Sequence, residues 1–293
     1  AQITCPRDTD IMREVKAVSD FASVKYMGQR EAVCGGLLHF IGEEIDCRYL
    51  SELKKLVQEP ELLRERAREL KIVYTPLHGT GNVLVRRILK ELGFESVYVV
   101  EDQMLPDGDF PTVESPNPED KRAFARALEL ADPDADRLGV YARDEETGNY
   151  MAFTGNMSGM ILCKYLLEHR KERNTLPECG AVVTTIVSGK MAGAVCREHG
   201  VKLIETLTGF KYIGEQIRLF EKQGTYEYLF GFEESYGCLV GTYSRDKDAV
   251  GAVMALCEAA VYYRTKGLTL WDQMQKLYKR YGYYSSYFPL SDS

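Results

Sequence analysis

From Lys71 onward the chain alternates short apolar runs with stretches whose apolar positions recur at helical spacing. Ile72-Val73-Tyr74 reads as a strand and His78-Gly79-Thr80-Gly81 as the turn after it. Val85, Ile88, Leu89 and Leu92 then fall at i, i+3, i+4 and i+7, one face of a helix that Gly93 ends. Val97 to Val100 is a second apolar run, so the pattern predicts a β-α-β unit with a parallel sheet. A loop carrying Pro106, Pro111, Pro116 and Pro118 follows. The next stretch, Glu119 to Ala131, predicts a helix that runs straight into Asp132. Strands over Leu138–Ala142 and Tyr150–Phe153 flank Asp144-Glu145-Glu146-Thr147-Gly148 as a hairpin, and a helix follows from about Gly159 to His169.

After the polar link from Lys171 to Glu178 the alternation restarts: strand Ala181–Val187, helix Gly189–His199 closed by Gly200, strand Val201–Thr206, helix Tyr212–Gln223, strand Tyr226–Phe232. Two helices complete it, at about Lys247–Thr265 and Leu270–Tyr281. Toward the start, Ser51–Leu70 is helical with a break at Pro60 and with Leu53, Leu56 and Val57 on one face. The first residues do not parse as a free-standing unit. The expected fold class is α/β, with two consecutive α/β domains of mixed or parallel sheets at 47–177 and 178–293. Residues 1–46 are expected to be the tail of a preceding α/β domain.

At 293 residues and 45% hydrophobic composition the chain can bury ordinary globular cores. It has no run of about 18 apolar residues and its opening lacks the pattern of a signal peptide, so no membrane partner is expected. The eight cysteines form no close pair of the kind that holds zinc, and the cytosol is the expected compartment. A net charge of −7 argues against nucleic acid as the main partner.

In parallel α/β sheets ligands gather at the carboxyl ends of strands, and three loops there are rich in chemistry. In Asp132-Pro133-Asp134-Ala135-Asp136-Arg137 three carboxylates on alternate residues can converge on one hard cation, while Arg137 offers a fork for an anion. The loop is not an EF-hand, whose sixth and twelfth places need Gly and Glu, because they hold Arg137 and Arg143. The second loop is Thr208-Gly209-Phe210-Lys211, whose small residues allow close approach. The third, Gly231-Phe232-Glu233-Glu234-Ser235-Tyr236-Gly237, sets carboxylates and a hydroxyl where sugar hydroxyls could bind, and Arg245-Asp246-Lys247-Asp248 follows with two cations. An ordinary structural turn and a solvated helix end are the competing readings for these last two.

These pieces in this order, with Tyr74-Thr75-Pro76-Leu77-His78-Gly79-Thr80-Gly81, resemble the α-D-phosphohexomutase family, the phosphoglucomutases and phosphomannomutases. The resemblance implies that Asp132, Asp134 and Asp136 bind Mg²⁺ and that Arg137 contacts the phosphoryl group. It implies that Glu233, Ser235 and Arg245 bind substrate, that Thr208 and Gly209 read sugar orientation, and that Lys247 is the acid–base residue beside the transferring group. The reaction implied moves phosphate between the 1- and 6-hydroxyls of a hexose phosphate, with a hexose 1,6-bisphosphate as primer. The family's phosphoserine loop, of the type Thr-Ala-Ser-His-Asn-Pro, and its Arg-Pro-Ser-Gly-Thr phosphate loop have no counterpart in these residues. Ser115-Pro116-Asn117-Pro118 lacks the histidine and the Thr-Ala lead and is read as structural. The expectation is therefore the central portion of a longer mutase, partnered by the remainder of its own parent chain and inactive alone. A non-catalytic sugar-phosphate binding or regulatory protein is the alternative, and a metal-dependent phosphohydrolase a third. The family also places a buried strand before the metal loop, where this sequence predicts helix.

Overall fold

The computed structural model describes all residues except 1, 2, 4, 115, 118–128, 132–134 and 285–293, and only the backbone of 129–131. Helices α1 (Arg7–Ala17) and α2 (Gln29–Cys34) bury no side chain, and Phe21, Phe40 and Ile41 of the same segment are exposed. Helix α3 (Glu43–Lys54) starts ahead of the expected Ser51 and buries Leu50 and Leu53. Pro60 marks the expected break in the helix, α3 having ended at Lys54. It is the first residue of a separate one, α4 (Pro60–Arg66), where its missing N–H costs nothing and its fixed φ suits the first turn.

Strand β1 (Lys71–Tyr74), helix α5 (Gly81–Glu91) and strand β2 (Ser96–Val99) form the expected parallel unit, in register from Lys71↔Ser96 to Tyr74↔Val99. A second sheet follows, of β3 (Glu129–Ala131), β4 (Leu138–Arg143) and β5 (Tyr150–Phe153), antiparallel throughout, with the hairpin at 144–149 as expected. Strand β3 corrects the sequence reading. The helix expected to reach Ala131 gives way to extended backbone at Glu129, because pairing with Val140, Gly139 and Leu138 satisfies the main chain there better than helix propensity does. Strand β3 thus ends immediately before Asp132 in the sequence. The remainder of the expected helix, 119–128, lies outside the described residues.

Helix α6 (Gly155–Glu172) starts at Thr154, whose hydroxyl caps Met157 N–H. Then come β6 (Gly180–Thr185), α7 (Met191–His199), β7 (Lys202–Thr206), α8 (Phe210–Gln223), β8 (Glu227–Phe232), β9 (Cys238–Val240), α9 (Ala249–Thr265) and α10 (Leu270–Tyr281). The sheet order is β7-β6-β8-β9, with the first three strands parallel and β9 antiparallel to β8. The carboxyl ends of β6, β7 and β8 thus open at one edge, where Ser188, Thr208 and Glu233 follow their strands.

Helix α9 is apolar on every side apart from Glu258 and its last two residues, and from Ala249 to Tyr263 it is accordingly buried, Ala260 only in part, packed by α4, α5, α6, α10, β4 and β9. Through it one continuous core runs from Leu50 and Leu53 of α3 to Met274 and Leu277 of α10. Among the described residues no helix is long and apolar enough to cross a membrane.

Candidate active site

The loop that closes at Arg137 and the loop after β8 meet through the main chain. Arg137 bridges Gly237, Leu138 N–H donates to Tyr236 O at 3.2 Å, and Ala249 N–H, at the start of α9, donates to Ala135 O at 3.0 Å. Ala135 and Tyr236 both take the left-handed conformation (φ +54° and +68°), turning each loop back on the other. The Thr75–His78 turn after β1 is clamped: His78 bonds Leu105 O (3.1 Å) and Thr112 Oγ1 (2.9 Å), and Thr75 Oγ1 donates to Gln103 Oε1 (2.7 Å).

Lys247 lies where the two loops join. Its Nζ is 3.0 Å from Asp136 Oδ2, 4.0 Å from Glu233 Oε1 and 3.8 Å from Asp246 Oδ1. A Cβ at position 237 would lie 2.4 Å from Lys247 Cδ and 2.6 Å from Glu233 Oε1, so only glycine lets these two side chains approach. Glu233 is buried, which raises its carboxyl above the ordinary value; Lys247's charge and a hydrogen bond from Ser235 oppose that rise. Burial pulls Lys247 down, yet the hydrogen bond and charge of Asp136, with Glu233 and Asp246, outweigh it and hold the ammonium above its usual range. Beneath them the Cys238 thiol is pushed up to about 12 by burial and by the charges of Asp248 and Glu233, which leaves it unreactive.

Arg137 completes the cluster, its Nε 3.6 Å from Asp136 Oδ1 and its NH1 3.4 Å from Asn117 Oδ1. Asp132 and Asp134 lie outside the described residues, and among the described residues no three ligating side chains gather as a metal site. Of the three aspartates only Asp136 is described: its Oδ1, shielded from solvent, is the kind of oxygen donor a hard cation takes, while the Arg137 guanidinium lies 3.6 Å from it and the Lys247 ammonium pairs with Oδ2.

Three substrate residues expected from sequence stand apart from this cluster. Arg245 faces away: its NH2 spans both carboxylate oxygens of Glu221 on α8 (2.6 and 2.7 Å), and its NH1 holds the carbonyls of Thr242 and Ser244. Two cations two residues apart in one turn point to opposite sides, a distinction their shared charge does not encode. Thr208 is exposed after β7, and Gly209 begins α8 with φ +113°, both on the carboxyl edge of the parallel strands. Glu234, beside Glu233, accepts from Thr185 Oγ1 at 2.8 Å and fastens the loop to β6. Sequence reasoning did not single out Gly237, whose signal was its place closing the β8 loop.

The matches to known proteins identify the family. Residues 48–147 match the family described as phosphoglucomutase/phosphomannomutase, alpha/beta/alpha domain II, and residues 154–281 match domain III of the same family. A phosphoglucomutase from Staphylococcus epidermidis is 36% identical, covering 84% of this chain and 45% of that protein. A Homo sapiens glucose 1,6-bisphosphate synthase is 34% identical, covering 98% and 48%. Among solved structures, the open form of the Paramecium phosphoglucomutase parafusin aligns with a TM-score of 0.60 at 21% identity, covering 80% of this chain and 42% of that one. The chain spans about half the length of the curated relatives it matches.

Proposed function

Since the chain belongs to the phosphoglucomutase/phosphomannomutase family, we infer that it supplies the metal-binding and sugar-binding side of a phosphohexomutase. The phosphoryl-carrying residue and the remaining phosphate contacts come, on this reading, from the rest of a polypeptide of the relatives' length. The observation that carries it is Lys247 lying between Asp136 of one loop and Glu233 of the other. The names of the relatives point the same way, toward hexose phosphates and a hexose 1,6-bisphosphate. The packing of α6 against α7, α9 and α10 favours a boundary between the two units just after β5, ahead of the one that link composition suggests at 177/178.

Glu233 and Ser235 bind sugar hydroxyls, with Thr208 and Gly209 across the strand edge reading the orientation of the ring. Asp132, Asp134 and Asp136 hold Mg²⁺, which when bound supplies charge neutralisation at phosphoryl oxygens. Arg137 presents its guanidinium fork to the phosphoryl group. Lys247 Nζ keeps its proton in the resting site, gives it to the sugar oxygen as the P–O bond breaks, and recovers it from the hydroxyl attacking in the opposite half-reaction. Phosphoryl transfer rests mainly on positioning and electrostatics, and two loops joined by main chain provide both.

Two measurements test this reading. The 293-residue chain should bind a hexose 1,6-bisphosphate in the presence of Mg²⁺ by calorimetry. The intact gene product should interconvert glucose 1-phosphate and glucose 6-phosphate. Asp136→Asn should slow that conversion by a factor on the order of 10³, since a metal ligand's charge stabilisation is worth several kcal/mol. An unchanged rate in Asp136→Asn would sink the proposal, and binding without turnover in the intact product would turn it toward a sugar-phosphate binding protein.

A further inference from the structure

Asp248 follows Lys247 and is held from three directions. Its Oδ1 caps α9 by accepting Val250 N–H (2.8 Å) and Gly251 N–H (3.3 Å), and its own N–H donates to Cys238 O at 3.0 Å. Its Oδ2 accepts two tyrosine hydroxyls, Tyr243 from the same turn and Tyr49 from α3, each at 2.5 Å. The two rings pack at 6.1 Å between centroids. A cap needs one oxygen and N–H donors alone. The second oxygen, engaged by two hydroxyls, is an additional restraint on the turn that carries Lys247.

Helix α3 is fitted under that turn. A Cβ on Gly251 would lie 2.6 Å from the Tyr243 hydroxyl and 3.3 Å from Leu53 of α3, and one on Gly241 would lie 2.7 Å from Leu56. Gly241 also takes φ +75°. The chain is therefore smallest at the two ends of the 242–250 turn, where α3 and its tyrosine approach. On the other side Asp246 N–H donates to Ser244 Oγ at 3.3 Å and Lys247 N–H to Asp246 Oδ1 at 2.9 Å, so the turn is bonded on both sides of Lys247.

We propose that Tyr49 and Tyr243 are positioning residues for Lys247: their hydroxyls fix Asp248, and through it the turn that aims the ammonium at the transferring phosphoryl group. The proposal rests on the mutase reading above. Charge-assisted hydrogen bonds from two hydroxyls to one carboxylate oxygen are the strong kind, and losing one releases a restraint one residue from the reacting cation. Displacements of about 1 Å at a reacting group can cost about 10²-fold in rate. Sugar hydroxyls are bound by Glu233 and Ser235, which hang from β8 and are not held by Asp248, so ground-state binding is spared.

The test uses the intact gene product, assayed for interconversion of hexose 1- and 6-phosphates with Mg²⁺ and a bisphosphate primer. Tyr49→Phe and Tyr243→Phe each remove one oxygen and keep the ring. Each should lower kcat by about tenfold or more with KM within about twofold, because the contact weakened in turn, Lys247 to the transferring phosphoryl group, is one made in the transition state. Leu63→Ala, in the core of α4 away from the turn, is the packing control and should lower the melting temperature while leaving kcat at wild-type level below the transition. Wild-type kcat in both tyrosine variants overturns the proposal, as does a loss of kcat in Leu63→Ala equal to theirs. A wild-type protein with no mutase activity overturns the mutase reading itself, whereas an active wild type with unaffected tyrosine variants overturns the positioning alone.

Discussion

Glu258 is a carboxylate on α9, 1% exposed, among the apolar side chains of the core. Its Oε1 accepts the Glu59 N–H at 2.5 Å, at the entry to α4, and Tyr165 and His169 of α6 pack nearby. Burial raises its carboxyl from 4.5 to about 7, opposed by the backbone N–H groups of Glu59 and Gln58 and by the Tyr165 hydroxyl. Between those two pH values the folded chain holds a proton that the unfolded chain has lost. Stability therefore falls as pH rises through the window, is flat above about 7, and is fully present below 4.5. At about 1.4 kcal/mol per pH unit the whole effect is roughly 3 kcal/mol. Glu258→Gln keeps an acceptor for the Glu59 N–H and cannot ionise, so the stability of the variant relative to wild type should grow by about that amount from about pH 5 to about pH 8. His169 is buried and held below its ordinary value, which gives an opposite slope, but that slope is common to both proteins and leaves the difference. Urea unfolding of the reduced chain, followed by circular dichroism at constant ionic strength, measures it. Difference curves that stay level within about 0.5 kcal/mol across the range would refute the reasoning.

Gly237→Ala should abolish measurable hexose bisphosphate binding by calorimetry and cost about 1–3 kcal/mol in urea unfolding, because the new methyl overlaps Lys247 and Glu233 at once. Glu221→Gln breaks the bidentate pair with Arg245, but Glu221 is half exposed, so thermal unfolding should change by less than about 1 kcal/mol. Ile88→Ala, fully buried on the inner face of α5, should cost about 2–5 kcal/mol in the same urea assay without altering sugar-phosphate affinity.

Much of this fold was legible because its signals are local. Val85, Ile88 and Leu89 mark the inner face of α5, and strands β1 and β2 pair in parallel as the alternation implied. Strand β3 was not legible, since Glu129-Leu130-Ala131 are good helix formers and only the edge of β4, seven to eleven residues on, makes them extended. At the site, carboxylate spacing pointed to Asp136, and chain order to Glu233 and Lys247. Which way Arg245 turns depends on Glu221, and the Tyr49 bond to Asp248 spans 199 residues of chain. Glu258 carried a readable signal, a lone carboxylate within Ala-Leu-Cys-Glu-Ala-Ala-Val, an otherwise apolar run.

The bonds that hold the 135–138 loop to the 236–237 turn and to the start of α9 are made by peptide groups. Every residue but proline carries the same N–H and C=O, so replacing side chains at these positions removes no donor and no acceptor. The junction is in that sense independent of the alphabet. Sequence drift around it can change which side chains the two loops present, while the distance between the loops stays under the control of bonds that mutation, proline aside, has no direct means of deleting.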